Sequence, residues 1–215
     1  MCYSATASFT GGAMIAAVGV ACLVKVRRRR QWPLALLPLL FGLHQLTEGL
    51  VWLGLDGQLT RAVFTQAVTA YLIYSQVFLP SWVPLAVLIQ ESEARRRRLL
   101  GALLLIGAGV SLQAAWGLWE YRSMVTVAGH SLIYYNPAIW SYEFATAYVV
   151  ATCGSLVLAS DRRLLAFGLL NLAAIAAVVL WKEQTLTSVW CAYAALMSVL
   201  LYRILDTAEP AATAA

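Results

Sequence analysis

The stretch that decides the fold is residues 32–55, which read WPLALLPLLFGLHQLTEGLVWLGL and follow four consecutive arginines at 27–30. It contains no lysine or arginine, and its only ionisable side chains are His44 and Glu48. A helix needs roughly 20 predominantly apolar residues to cross the hydrocarbon core of a bilayer. A segment of this length and composition, preceded by a basic run, therefore predicts a transmembrane helix.

The rest of the chain has the same character. Hydrophobic residues make up 61% of its 215 residues and charged residues 12%, about half the charged fraction of an ordinary soluble domain. The net charge of +5 does not indicate nucleic-acid binding, because the basic residues fall in short runs at the ends of apolar segments. We therefore expect one integral membrane domain whose main partner is the lipid bilayer.

Charge clusters and turn residues divide the chain into seven apolar segments, each about long enough to cross a membrane. The predicted fold is accordingly an all-α, seven-helix transmembrane bundle in residues 1–205, followed by a disordered cytoplasmic tail, 206–215. The predicted spans are 8–26, 32–55, 63–90, 99–119, 137–159, 164–181 and 186–204.

The distribution of positive charge predicts the orientation of these spans. Twelve of the fifteen lysines and arginines lie on one side of the predicted path, and only Arg61, Arg122 and Lys182 lie on the other. Because cytoplasmic loops carry the excess of positive charge, the N-terminus is expected outside and the C-terminus inside. Tryptophans near the outer boundary agree with this orientation: Trp52, Trp116, Trp119, Trp140, Trp181 and Trp190.

Two local signals shape individual spans. The third span carries Pro80 and Pro84, and we predict one kinked, tilted crossing, since two crossings within residues 63–90 would each be too short. The fifth span is predicted to begin with Asn136 as its N-cap and Pro137 as its first helical residue.

Ionisable side chains inside predicted spans mark the candidate site. His44 and Glu48 lie four residues apart, on one helix face, and Glu143 is a second carboxylate in the fifth span. Counting about 1.5 Å per residue from the outer helix ends puts both carboxylates roughly 10 Å deep. We predict that the three converge as a ligand or metal site. The alternative is that His44 and Glu48 hydrogen-bond to each other and to Gln76, Gln113 or Asn171, and that these bonds only join helices. Supporting polar residues are Gln45, Gln76, Gln113 and Asn171.

Cys2 would become the N-terminal residue if Met1 is removed, and it would then offer a thiol and an α-amine at the outer face. With His44 and Glu48 it forms the candidate set of metal ligands, which suits zinc or copper. The alternative is a chain end without a role. The sequence is also compatible with a homo-oligomer, whose dimer surface would include Gly11, Gly12 and Gly19 of the first span.

The opening MCYSATASF resembles a family of uncharacterised bacterial integral membrane proteins that begin with Met-Cys-aromatic-Ser-Ala. Further motifs resemble the same family, namely Pro38 to Gly42 with Gln45, Glu48 and Trp52, and Ser75-Gln76 with Pro80 to Pro84. The resemblance implies a multi-spanning protein of the bacterial cytoplasmic (inner) membrane and supplies no activity. It also implies that Cys2, Gln45, Glu48, Gln76, Pro80 and Pro84 belong to the family pattern.

Three functions are compatible with this sequence. The first is binding or transport of a small ligand or metal ion at a buried polar site near the outer side. The second is a metal-dependent intramembrane hydrolase, with Glu48 or Glu143 as general base. The third is a non-catalytic subunit of a membrane assembly, whose polar residues only fix helix packing.

Overall fold

Helices account for most of the chain in a computed structural model, which describes residues 4–129, 131–182 and 200–203. Short turns join the helical units within these residues. In chain order they are α1 (Ala5–Val24), a 3-10 turn (Arg29–Gln31), α2 (Trp32–Leu55), α3 (Arg61–Leu72), a π-helix (Ile73–Phe78), α4 (Leu79–Gln90), α5 (Ala94–Glu120), β1 (Met124–Ala128), β2 (Ser131–Tyr135), α6 (Tyr142–Val157) and α7 (Arg162–Lys182).

Four helical units among the described residues are long and apolar enough to cross a membrane. They coincide with the first four predicted spans. The prediction of a mostly helical protein with helices that could span a membrane is therefore confirmed. The four units are Ala5–Val24, Arg29–Leu55, Arg61–Gln90 and Ala94–Glu120.

The helices α1 and α2 pack with their backbones in close approach. A Cβ atom on Gly19 would overlap the backbone of Leu39, and a Cβ atom on Gly42 would overlap the backbone of Ala16. Small residues permit this contact, and close packing is what joins helices in lipid, where the surrounding acyl chains are as apolar as the side chains. The glycines therefore allow α1 and α2 to pack backbone against backbone.

The face of α1 that carries the glycines therefore packs against α2 of the same chain. Gly11, Gly12 and Gly19 are all buried, and a Cβ atom on Gly12 would meet Leu46 of α2. The predicted dimer surface at these glycines is wrong, because α2 already occupies that face.

The third predicted span is one unbroken helical unit from Arg61 to Gln90, as the sequence predicts. Its irregularity is the π-helix that directly precedes Pro80, in which the N–H of Leu79 donates to the carbonyl oxygen of Tyr74, five residues back. Pro80 has no N–H to continue the regular ladder, and π-turns are a recognised response to such an interruption. The expected kink thus takes the form of a widened helical turn.

The second proline of this unit, Pro84, affects packing against α5. Because Pro84 has no N–H, it cannot donate the helical hydrogen bond to the carbonyl oxygen of Pro80. That oxygen faces Gly107 of α5, where a Cβ atom would overlap it. The two helices approach here because Gly107 carries no side chain.

Residues 124–135 form a β-hairpin where the sequence predicts only a loop, so the all-α description is wrong at this point. The strands pair antiparallel, from Met124 opposite Tyr135 to Ala128 opposite Ser131, and Gly129 in the turn has a φ of +61°. Alternating apolar residues are the local signal for these strands. The hairpin covers one end of the bundle, hereafter the hairpin end, since Leu132 and Tyr134 belong to the hydrophobic cluster of α2 and α3.

The helix α6 begins at Tyr142, later than the predicted start at Pro137. Ser141 is the actual N-cap, and its hydroxyl accepts a hydrogen bond from the backbone N–H three residues later at 3.1 Å. Asn136 is buried and instead donates its side-chain amide to the carbonyl oxygen of Gly117 at 3.0 Å. The predicted cap is therefore wrong, because Asn136 joins the connection to the end of α5.

At the opposite end of the bundle, hereafter the basic end, two arginines cap helix C-termini. Arg96 donates to the carbonyl oxygens of Leu158 at 2.9 Å and Ala159 at 3.1 Å, after the end of α6. Arg97 donates to the carbonyl oxygen of Leu88 in the last turn of α4 at 2.9 Å. The last carbonyl groups of a helix lack partners within it and carry partial negative charge. The arginine run thus stabilises the fold through these caps.

Glu91 joins two turns at the basic end. Its carboxylate is 4% exposed and accepts hydrogen bonds of 2.8–2.9 Å from the backbone N–H groups of Ser92, Glu93 and Ser160 and from the Ser160 hydroxyl. Burial by itself would raise the pKa of Glu91, but these four hydrogen bonds outweigh burial and hold the pKa below its ordinary value.

The last two predicted spans are described in part. The helix α7, Arg162–Lys182, covers the predicted span 164–181. Of the predicted span 186–204 only residues 200–203 are described, and they are helical, with the Lys25 ammonium 4.6 Å from the centre of the Tyr202 ring. The remainder of that span and the predicted tail 206–215 lie outside the described residues.

Candidate functional site

Three polar residues of α2 are buried within little more than one helical turn. His44 is 3% exposed, Gln45 is 2% exposed and Glu48 is fully buried. Ionisable groups in the interior of a span are costly and mark functional sites more often than structural ones. The structure therefore supports this turn of α2 as the candidate site.

Gln45 and Glu48 form a hydrogen-bonded group at the contact with α1. The Gln45 amide nitrogen donates to a Glu48 carboxylate oxygen at 2.7 Å and to the Ser8 hydroxyl at 3.3 Å. Ser8 is fully buried on α1, where it lies between the glycine contacts and the N-terminal end of the helix. Glu48 thus accepts a hydrogen bond from Gln45, and the predicted hydrogen bond between His44 and Glu48 is not formed.

His44 directly precedes Gln45 on α2 and lies between two tyrosine rings. The centre of its imidazole ring is 4.0 Å from that of Tyr71 and 4.6 Å from that of Tyr74, with interplanar angles of 24° and 40°. Tyr71 stacks in turn on Tyr134 of the hairpin, with ring centres 4.3 Å apart. The result is a row of rings that begins at the hairpin and has His44 as its third member.

The π-helix helps to set this geometry. Tyr71 lies in the last turn of α3 and Tyr74 in the π-helix, and the Ser75 hydroxyl donates to the Tyr71 carbonyl oxygen at 3.0 Å. Single π-turns within α-helices occur frequently at functional sites. Here the irregular turn presents two tyrosine rings to opposite faces of one imidazole.

Both ring nitrogens of His44 are buried, and neither has a hydrogen-bond partner among the described residues. Most buried polar atoms in native proteins are hydrogen-bonded, so an orphaned pair on one side chain indicates a bound water, ion or ligand, or a functional role. The Gln45 side-chain oxygen is in the same condition at the α1 contact.

Glu143 does not join this site. It is exposed in the first turn of α6, directly after the Ser141 cap. The prediction of a buried cluster that includes Glu143 is wrong because it counted depth from a helix start at Pro137. A start at Tyr142 puts Glu143 at the very end of the helix instead of about 10 Å inside it.

The supporting polar residues are distributed over the bundle. Gln76 is buried in the π-helix. Gln113 is exposed and donates to the Ala138 carbonyl oxygen at 2.7 Å, and Asn171 donates to Phe167 of its own helix at 2.6 Å. The described hydrogen bonds of Gln113 and Asn171 therefore do not involve His44.

The predicted metal set of Cys2, His44 and Glu48 is described only in part, because Cys2 lies outside the described residues. Within the described ranges, no group of three or more His, Cys, Asp or Glu side chains could hold a metal ion.

Tyr71, Tyr74 and Tyr134 are site residues that the sequence pattern did not reveal. The spacing of Tyr71 and Tyr74 is a usable signal, because residues three apart lie on one face of a helix. No local signal indicates Tyr134, which reaches the site from a hairpin distant in sequence.

The fold and the site together define a class: a predominantly helical protein with four described helices that could span a membrane and a polar cluster buried inside one of them. Within that class, the chain belongs to a family of unknown function, DUF6629, whose model matches residues 1–215. No curated protein matches the chain, and no solved structure does.

Proposed function

We propose that this chain is a multi-spanning membrane protein that binds a small polar ligand at His44, near the hairpin end of the bundle. The observation that carries the proposal is the pair of buried ring nitrogens without a partner among the described residues. A histidine that only joined helices would donate to a carbonyl, hydroxyl or amide of its neighbours, as Gln45 does at the α1 contact.

The environment of His44 supports binding over a purely structural role. The Tyr71 and Tyr74 rings hold the imidazole from both sides, so that its orientation is fixed before a ligand arrives. Such preorganisation lowers the entropic cost of binding. The buried Glu48 carboxylate lies one helical turn away on the same helix and adds a second polar group to the region.

The first expected result concerns retention of a bound molecule. Native mass spectrometry of protein released from detergent micelles should show an additional bound mass in the wild type that His44→Phe loses. Phenylalanine keeps a flat ring between the two tyrosines but cannot hydrogen-bond. The control is Gln113→Ala, since Gln113 is exposed and bonded to a loop carbonyl. Zinc and copper content, measured on the same samples, covers the metal alternative. An identical bound mass in the wild type and in His44→Phe would contradict the proposal.

We further propose the complete topology as seven spans, with the N-terminus outside and the C-terminus inside the bacterial cytoplasmic membrane. Two observations support this orientation. Arg96 and Arg97 cap helices at the end that carries most of the positive charge. At the other end, Trp116, Trp119 and Trp140 are exposed, as interface anchors are, although Trp52 is buried.

Reporter fusions test this topology. A C-terminal fusion should be active only with a cytoplasmic reporter, and a fusion in the α2–α3 turn at Gly57 only with a periplasmic one. Gly57 is suitable because a Cβ atom there would meet nothing. A C-terminal reporter that is active in the periplasm would contradict the number of spans or their orientation.

A further inference from the structure

The connection between α5 and α6, which contains the hairpin, carries unusually little charge. The 20 residues from Ser123 to Tyr142 include no lysine, arginine, aspartate or glutamate, whereas about a quarter of the residues of an ordinary soluble domain are charged. The α2–α3 turn at the same end of the bundle differs, since Asp56 and Arg61 flank it. Charged side chains are favourable in a connection exposed to water and costly near lipid. The composition therefore indicates that the hairpin lies against lipid.

The side of the hairpin that faces away from α2 and α3 is apolar and exposed. Successive side chains of a strand point to opposite faces, so Tyr135 points away from the cluster that contains Tyr134. Tyr135 and its cross-strand partner Met124 are both exposed, and the Tyr135 ring lies 5.5 Å from the exposed ring of Trp140. Exposed apolar patches mark surfaces that bind a protein or a membrane. Tryptophan and tyrosine favour the membrane, because both are enriched where apolar rings meet the headgroup layer.

The exposed surface of the hairpin continues an apolar stripe of α5. Exposed large apolar residues recur along α5 at intervals of seven, four and three residues and so lie on one side of the helix: Leu105, Leu112, Trp116 and Trp119. Trp119, in the last turn, is 90% exposed, and the Trp116 ring contacts that of Tyr121 edge-on, with ring centres 5.5 Å apart. The lipid-facing side of a candidate span thus leads directly into the connection that carries the hairpin.

The length of α5 gives the depth of the hairpin. The helix has 27 residues, which at about 1.5 Å per residue is roughly 40 Å, against about 30 Å for the hydrocarbon core and about 40–45 Å with both headgroup layers. Its last turn therefore lies beyond the hydrocarbon, and the hairpin begins only four residues after it ends. The sheet has two strands, so the outer edge of each needs hydrogen-bond partners. Headgroups and water supply them, and acyl chains do not.

We infer that the hairpin is embedded in the headgroup layer of the membrane and binds phospholipid through Met124, Tyr135, Trp119 and Trp140. This inference rests on the proposed membrane crossings. It is independent of the ligand at His44 and of the side of the membrane on which the hairpin lies. The inner side of the same hairpin carries Tyr134, so the hairpin joins the headgroup layer to the row of rings that contains His44.

Photo-crosslinking from single positions tests this inference in the full chain. Benzoylphenylalanine replaces Met124 or Tyr135 in the hairpin, or Leu105 or Gln58 as controls, and each variant is reconstituted into liposomes of phosphatidylethanolamine and phosphatidylglycerol. All four side chains are exposed, so the larger side chain can be accommodated. Leu105 lies in the middle of α5 and should contact acyl chains, whereas Gln58 lies in the α2–α3 turn and should contact water. Intact mass spectrometry should then show lipid adducts at Met124, Tyr135 and Leu105 and none at Gln58.

Each of four other results would overturn the inference. An adduct at Leu105 without one at Met124 or Tyr135 would mean that the hairpin lies in water, while the membrane crossings stand. A covalent dimer from the hairpin positions would mean that a second copy of the chain covers this surface. Equal adducts at Gln58 and in the hairpin would show that contact with lipid does not follow the absence of charge. The absence of lipid adducts at every position, Leu105 included, would contradict the membrane crossings as well.

The point of attachment on the lipid measures the depth of each position. Alkaline hydrolysis cleaves the ester bonds of the crosslinked lipid, so an adduct on an acyl chain retains only a fatty acid, and one on the glycerol or headgroup retains the glycerophosphate part. The Leu105 adduct should retain only a fatty acid. The Met124 and Tyr135 adducts should include the glycerophosphate form. Fatty acid alone at both hairpin positions would place the hairpin in the hydrocarbon and would overturn its assignment to the headgroup layer.

Discussion

Gly107→Ala is expected to destabilise the folded bundle by about 1–3 kcal/mol, or more if the helices cannot separate. A single added Cβ atom would overlap the Pro80 carbonyl oxygen. That oxygen belongs to the backbone of α4 and cannot rotate away as a side chain would. To relieve the overlap, α4 and α5 must move apart and lose their close packing, which holds helices together in lipid.

A matched control lies two residues further along the same helix. A Cβ atom on Gly109 would meet nothing, so that Gly109→Ala should be neutral or stabilise the helix by up to about 1 kcal/mol through the better helix propensity of alanine. Thermal unfolding of both variants in one detergent, followed by size-exclusion chromatography, measures the difference. If Gly107→Ala unfolds at the same temperature as Gly109→Ala, the close approach of α4 and α5 at this position is contradicted.

Glu91→Ala is expected to cost about 2–3 kcal/mol, the scale of hydrogen bonds to a buried charged group. The substitution leaves the Ser160 hydroxyl and three backbone N–H groups without their acceptor. It also removes the hydrogen bonds that join the α4–α5 turn to the α6–α7 turn. Glu93→Ala is the control. Glu93 pairs with Arg96 at 2.7 Å, but its side chain is 50% exposed, and exposed ion pairs contribute only about 0–1 kcal/mol.

The same carboxylate makes stability depend on pH. The pKa of Glu91 is lower in the folded protein than its ordinary value of 4.5. Its contribution to stability is therefore complete above that ordinary value and declines as pH falls through the folded pKa. Glu91→Gln removes the titration, so the stability gap between wild type and variant should narrow as pH falls below 4.5. A gap that stays constant over this range would show that the ionised carboxylate does not stabilise the turns.

Particular segments show why some features could be predicted from sequence. The unit Arg61–Gln90 was predictable as one crossing because its length and the two prolines are properties of the segment itself. The hairpin had only a weak local signal, because Thr126 is the one polar residue in Met124–Ala128, and a segment between two apolar spans is equally typical of a loop. The start of α6 was not predictable from the segment itself, because Asn136 bonds to the end of α5 and the N-cap is Ser141 instead.

His44, Gln45 and Glu48 were found from sequence because ionisable and amide side chains stand out in an apolar helix. Their partners were not predictable in the same way. Successive residues of a helix point about 100° apart, so the side that His44 faces depends on how α2 is rotated against its neighbours. That rotation follows from glycine contacts with α1 and from the turn of the π-helix, neither of which is visible within the span.

The sequence by itself determined that this protein is built of apolar helices, because a helix satisfies its backbone hydrogen bonds within one segment and needs only length and composition to be recognised. It also determined which turn of α2 is polar. Only the tertiary structure decided that Gln45 meets Ser8, that two tyrosines enclose His44 and that Glu143 lies outside the site. These outcomes depend on helix rotation, on the residue at which each helix begins and on a hairpin that returns from far along the chain, and contacts between distant segments set all three.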